Sequence, residues 1–114
     1  AGNTAFAEAI ASIEYSVSVL NSPLVMVMGH TGCGAVAAAM DDAALSPSLE
    51  QLVAPIRDQI GESDDPIAAV RANARGSTAL LRQRSSIIRN AEDRGALKLV
   101  SSCFDLASGA VTLI

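Results

Sequence analysis

The 114-residue sequence has almost no aromatic side chains: Phe6, Tyr15 and Phe104 are all of them, and tryptophan is absent. A core built without large rings must be filled by Ala, Val, Leu and Ile, which make up most of the apolar half of the chain and suit close packing of helices on a sheet. Cysteine is scarce as well. Cys33 and Cys103 are too few for a disulfide framework, so a reducing compartment, and with it the cytoplasm, is the expected setting. Positive charge is sparse: Lys98 and seven arginines are scattered among twelve acids, giving a net charge of −4. No basic cluster is available to phosphate, which excludes nucleic acid as a partner. No apolar run approaches the roughly 20 residues that cross a bilayer, and no basic, apolar and small-residue leader opens the chain, so no membrane partner is expected.

Neither a repeat nor a low-complexity linker divides the sequence, and its length suits one domain over residues 1–114. Phe6, Ala9, Ile10, Ile13, Val17 and Leu20 recur at helical spacing and predict an amphipathic helix over 4–20, capped by Asn3 or Thr4. It should stop at Asn21-Ser22-Pro23, because a residue before proline is pushed out of the helical region. Leu24 to Met28 is a short continuous apolar run, the pattern of a parallel strand covered on both faces. Met26 and Met28 are then core filler. Gly29-His-Thr-Gly-Cys-Gly34 turns into Ala35–Met40, a strong helix former.

After a loop over 41–47, Leu49, Leu52, Val53, Ile56 and Ile60 repeat at helical spacing. Asp65-Pro66 starts a further helix, which runs to about Arg82, is kinked or restarted at Ser85-Ser86, and ends at Gly95. Its arginines, Arg71, Arg75, Arg82, Arg84 and Arg89, with Glu92 and Asp93, read as a solvated surface. Lys98–Cys103 and Ala110–Ile114 are strands joined by a turn at Asp105–Gly109, making a hairpin. The expected fold is α/β: an open, mainly parallel sheet flanked by helices, with a C-terminal antiparallel hairpin strand.

The single histidine lies three residues before one of the two cysteines, just past the carboxyl end of the first strand, where open α/β sheets place their ligands. Imidazole and thiolate are preferred ligands of tetrahedral Zn²⁺. Gly29, Gly32 and Gly34 would let the backbone bend so that His30 and Cys33 meet one ion, and a helix N-terminus favours the thiolate. On spacing alone, a hydrogen-bonded strand-end histidine and a buried apolar thiol explain the pair as well. The glycine-rich turn lacks both the Walker lysine and the Gly-x-Gly-x-x-Gly spacing of phosphate loops.

The neighbouring residues narrow this. Ser12-Ile-Glu-Tyr-Ser-Val17 and Pro23-Leu-Val-Met-Val-Met-Gly-His-Thr-Gly-Cys-Gly-Ala-Val36 resemble the segment that brings two of the three protein zinc ligands in β-class carbonic anhydrases. Ala1-Gly-Asn3 is similar to the end of that family's Arg-Asn-Ala-Gly-Asn stretch. Leu80-Leu-Arg-Gln-Arg-Ser-Ser-Ile-Ile88, Gly95-Ala-Leu-Lys-Leu-Val100 and Phe104-Asp-Leu-Ala-Ser-Gly-Ala-Val111 resemble its last helices and terminal hairpin. The likeness spans nearly the whole chain, in order.

The resemblance implies that His30 and Cys33 are the second and third zinc ligands and that Gly34 is the glycine after the cysteine. It implies a zinc lyase interconverting carbon dioxide and bicarbonate as a homodimer or higher homo-oligomer, with helix 4–20 and the sheet edge as contact surfaces. Glu14 and Tyr15 could hydrogen-bond across such a contact or simply face solvent. The family's first zinc cysteine, in a Cys-x-Asp-Ser-Arg motif, has no counterpart here, nor does the Asp–Arg pair of that motif. The expectation is that this portion exists elsewhere and that the chain alone is incomplete as an enzyme, its first strand left with a bare edge.

Cys103 stands near the same rim. The matching family position is not a ligand, and a buried structural thiol is the expected role; the family's Gly near Ser101 and Tyr near Phe104 are replaced here. Two other functions remain open on the residues: a non-catalytic relative that keeps the fold as a zinc-binding or interaction module, and a redox or zinc-storage role for Cys33 and Cys103.

Overall fold

The computed structural model describes residues 2–41 and 43–114. Ala1, in the stretch likened to Arg-Asn-Ala-Gly-Asn, and Asp42, in the predicted loop, lie outside the described residues. The chain runs α1 (Ala7–Ser18), β1 (Leu24–His30), α2 (Gly34–Met40), α3 (Pro47–Ile60), α4 (Pro66–Arg84), α5 (Ser86–Asp93), β2 (Lys98–Phe104) and β3 (Val111–Leu113). The fold is mixed α/β. β1 pairs in parallel with β2, and β2 pairs antiparallel with β3, in the order β1-β2-β3.

Local chemistry sets most boundaries. The Asp65 carboxylate accepts from the Ile67 N–H at 2.9 Å, and Pro66 at the first helical position has no N–H to leave unpaired, so α4 begins where the sequence says. The Ser85 hydroxyl accepts from the Ile88 N–H at 3.2 Å, which ends α4 and starts α5 as a new helix rather than a bend. Ser46 and Pro47 play the same parts for α3, two residues before the first periodic leucine. At α1 the expected cap is not used. Phe6 occupies the cap position with no side-chain hydrogen bond, and the helix is shorter than 4–20 at both ends, stopping before Asn21, whose φ of 55° is incompatible with a continuing helix.

The helices form one layer on one side of the sheet. Val25, Val27, Leu99 and Cys103 alternate toward α4, whose buried stripe is Ala69, Val70, Asn73, Ala74, Ser77 and Leu81. Small residues on that stripe let the helix lie close to the strands. Two apolar clusters result. One joins α2, α3 and α4 around Val36, Val53, Ile56, Val70 and Cys103; the other joins α1, α4 and α5 around Val17, Leu81, Ile88 and Leu97. Complete burial of Ile56 and Ile88 contributes about 1.5–3 kcal/mol each. The thinnest dimension, 19 Å, is that of one helical layer on one sheet.

The other side of the sheet corrects two expectations. Leu24, Met26 and Met28 are exposed, so β1 is covered on one face and the two methionines are not core filler. An unbroken apolar run records how little polarity a strand carries, not how many layers cover it. β1 is also an edge strand in this sheet, as expected for its free side. Among the described residues, no helix is long and apolar enough to cross a membrane.

Candidate metal centre

β1 carries its pairing with β2 through to His30, which sits beside Phe104 at the carboxyl end of both strands. The chain then turns sharply. Gly32 has a φ of 68°, a left-handed value that glycine adopts without strain. Cys33 returns to extended backbone at the N-cap of α2, and its carbonyl accepts from the Ala37 N–H at 2.9 Å. The turn is braced from the hairpin: the Thr31 N–H donates to the Phe104 carbonyl, and the Leu106 N–H donates to the Thr31 hydroxyl, both at 3.0 Å. His30 and Cys33 therefore leave the sheet from one short, fixed loop.

His30 Nδ1 lies 3.0 Å from the Thr31 carbonyl oxygen. A carbonyl can only accept, so Nδ1 carries a proton and donates it there, which leaves Nε2 as the ring nitrogen that faces a metal. A backbone carbonyl on the second ring nitrogen is the usual way a ligating imidazole is oriented. Cys33 is a free, half-buried thiol packed against the first core cluster. It lines a cavity of about 330 Å³ with Thr31, Val36, Met40, Ile67 and Val70. The cavity is apolar, and α4, more than thirty residues further along the chain, supplies its far wall.

An imidazole oriented through Nδ1 and a half-buried thiol fit zinc in kind. They do not fit it in number. Among the described residues, no group of three or more His, Cys, Asp or Glu side chains is placed to hold a metal ion. Cys103 is buried in the cluster that contains Val36 and Val70, as expected of a structural thiol.

The other residues weighed from sequence find ordinary places. Glu14 accepts a 2.6 Å hydrogen bond from the Ser85 hydroxyl within the chain, and Tyr15 is exposed. Arg82 pairs with Glu92 and Asp93 at 2.5 and 2.7 Å on the surface, and Arg84 donates to the Ala5 carbonyl at 2.8 Å. One feature had no sequence signal, the Thr31 carbonyl that orients His30, and the turn expected at Asp105–Gly109 forms beside it. The Ala107 N–H and the Ser108 hydroxyl hold the Asp105 carboxyl below its ordinary pKa.

The sequence profile of the carbonic anhydrase family matches residues 1–111, and the chain belongs to that family. Carbonic anhydrase 2 of Mycobacterium tuberculosis is 33% identical over 125 residues, covering 99% of this chain and 59% of that protein. The carbonic anhydrase of Mycolicibacterium smegmatis is 34% identical over 115 residues, covering 91% and 55%. The chain thus spans less than three-fifths of the length of these relatives. Its fold is that of the β-class. The β-carbonic anhydrase of Coccomyxa, solved with acetazolamide, superposes with a TM-score of 0.80 at 20% identity, over 99% of this chain and 57% of that one. A tetrameric β-carbonic anhydrase of Sordaria macrospora gives 0.78 at 21% identity, over 96% and 61%.

Proposed function

We propose that residues 1–114 form a single carbonic anhydrase-like domain that, in the intact protein, reversibly hydrates carbon dioxide to bicarbonate and a proton with Zn²⁺ held in part by His30 and Cys33. Family membership supports the reaction class. The observation that carries the site is the hydrogen bond between His30 Nδ1 and the Thr31 carbonyl, which orients the imidazole at the end of β1.

Bound zinc would supply the Lewis acidity that makes water a nucleophile near neutral pH. The chain's own residues do the rest of what can be assigned to them. His30 presents Nε2, Cys33 presents sulfur from the start of α2, and the Thr31–Phe104 and Leu106–Thr31 hydrogen bonds keep the loop from relaxing. The apolar cavity against Cys33 limits water and accepts a small uncharged substrate. The remaining protein ligand, a cysteine, and an Asp–Arg pair come from polypeptide outside these residues. Sulfur and imidazole ligands in a chain with two free thiols suit the cytoplasm. A homo-oligomer accords with the tetrameric state named for the Sordaria relative.

The two-residue ligand set favours one other reading, a non-catalytic zinc-binding or interaction module. Metal content measured together with carbon dioxide hydration, on this chain and on the intact protein, separates them. Zinc with activity in the intact protein supports the enzyme; stoichiometric zinc without activity supports the module. Cys33→Ser should strip the metal, and retention of full zinc in that variant contradicts the assignment.

A further inference from the structure

α4 grips residues 2–5 at two points. The Asn73 side chain, only 1% exposed, donates from Nδ2 to the Gly2 carbonyl at 2.6 Å. About three turns further along the helix, Arg84 donates to the Ala5 carbonyl at 2.8 Å. Gly2 itself is buried in a narrow gap. Its φ is 61°, and a Cβ there would stand 2.5 Å from Ile56 Cδ1 and 3.2 Å from Ala35 Cβ. A bond from α4 thus seats Gly2 between α2 and α3. Ala35 lies two residues past Cys33, in the first turn of α2.

The Asn73 bond has a direction. A carbonyl only accepts, so the amide must turn Nδ2 toward Gly2 and its oxygen away. That oxygen is buried and has no hydrogen-bond partner among the described residues. Ala69, Val70 and Ala74, close by on the same buried stripe, are apolar. An apolar side chain at position 73 would orphan no acceptor of its own, but it would release the Gly2 carbonyl. As packing, asparagine is a poor choice here. As a directed hold on one carbonyl, it is a good one.

We propose that Asn73 is a positioning residue for the metal centre: by seating Gly2 against Ala35 it fixes the first turn of α2, and with it the backbone that presents Cys33. The effect on zinc rests on the reading of His30 and Cys33 as ligands; the hold on α2 does not. Arg84 secures Ala5 in the other apolar cluster and has no part in this role.

Amide hydrogen exchange of the metal-free chain tests the hold, read at Ala37, whose N–H donates to the Cys33 carbonyl at 2.9 Å. In Asn73→Ala that amide should exchange several-fold faster than in the wild type, while the amides of β2 keep their rates. Arg84→Ala should leave Ala37 unchanged. An unchanged Ala37 in Asn73→Ala, or equal acceleration in both variants, overturns the proposal. Should Asn73→Ala not fold, Gly2→Ala decides, because Gly2 belongs to neither apolar cluster and its new Cβ would displace the wedge. Ala37 must exchange faster there too, and an unchanged rate contradicts the hold. Chelator competition then reads the metal: Asn73→Ala should bind zinc about tenfold more weakly and Arg84→Ala like the wild type. Faster exchange with wild-type zinc affinity would make Asn73 merely structural and overturns the positioning role. A wild type that binds no zinc sinks the ligand reading instead, and the exchange rates alone then decide the hold on α2.

Discussion

Gly29 lies hard against Val70: a Cβ on Gly29 would stand 2.9 Å from Val70 Cγ1 and 3.2 Å from the Val70 carbonyl oxygen. The strand residue before His30 is therefore glycine because α4 passes too close for any side chain. Gly29→Ala would push α4 away from β1 or tilt the strand end. The expected cost is about 1–3 kcal/mol in denaturant unfolding, with weaker zinc binding because His30 moves with the strand. Unchanged stability would show that the helix shifts freely.

Cys103 is packed in the core with Val36 and Val70. Cys103→Ser puts a hydroxyl in an apolar pocket and should lower stability by about 1–2 kcal/mol while leaving zinc content unchanged. Loss of metal in this variant, measured by mass spectrometry of the dialysed protein, would make Cys103 a ligand and contradict its structural role.

Ser102 lies in the central strand with its hydroxyl buried and without a hydrogen-bond partner among the described residues. Removing that hydroxyl removes a desolvation penalty and opens almost no space. Ser102→Ala should be neutral or stabilising by about 1 kcal/mol in thermal unfolding, and a clear loss of stability would reveal a partner for the oxygen.

The Asp105 carboxyl is held below the ordinary value of 3.8, first by the Ala107 N–H and next by the Ser108 hydroxyl. A depressed folded-state pKa contributes stability that is present above the unfolded value and is lost as pH falls through the folded one. The turn between β2 and β3, and with it the Leu106 to Thr31 brace, should therefore hold at neutral pH and loosen only in acid below 3.8. Carbon-detected NMR titration of the Asp105 carboxyl should give a midpoint below the ordinary value; a midpoint at or above it contradicts the turn's hydrogen bonding.

Element order was readable in the sequence because its punctuation has physical force: Asp65-Pro66 starts α4, Ser85 splits α4 from α5, and Gly95, with a φ of 74°, follows the end of α5. The site was half readable. The spacing of His30 and Cys33 after an apolar run gave their place, and family likeness gave their role. The Thr31 carbonyl could not be foreseen, since every residue has one and only the fold aims it. Ile67 and Val70 look like ordinary helix residues until α4 folds over the loop and makes them a cavity wall. The exposure of Met26 and Met28 was hidden for a similar reason, because methionine suits a buried strand and a contact face equally.

X-ray absorption at the zinc edge of the zinc-loaded 114-residue chain probes the ligands themselves. With His30 and Cys33 bound, the spectrum should contain one sulfur shell at about 2.3 Å and an imidazole nitrogen at about 2.0–2.1 Å. Any zinc that remains in Cys33→Ser should show no sulfur shell, while the shell should persist in Cys103→Ser. A sulfur shell that survives Cys33→Ser, or zinc ringed by oxygen alone in the wild type, would contradict metal binding by this pair.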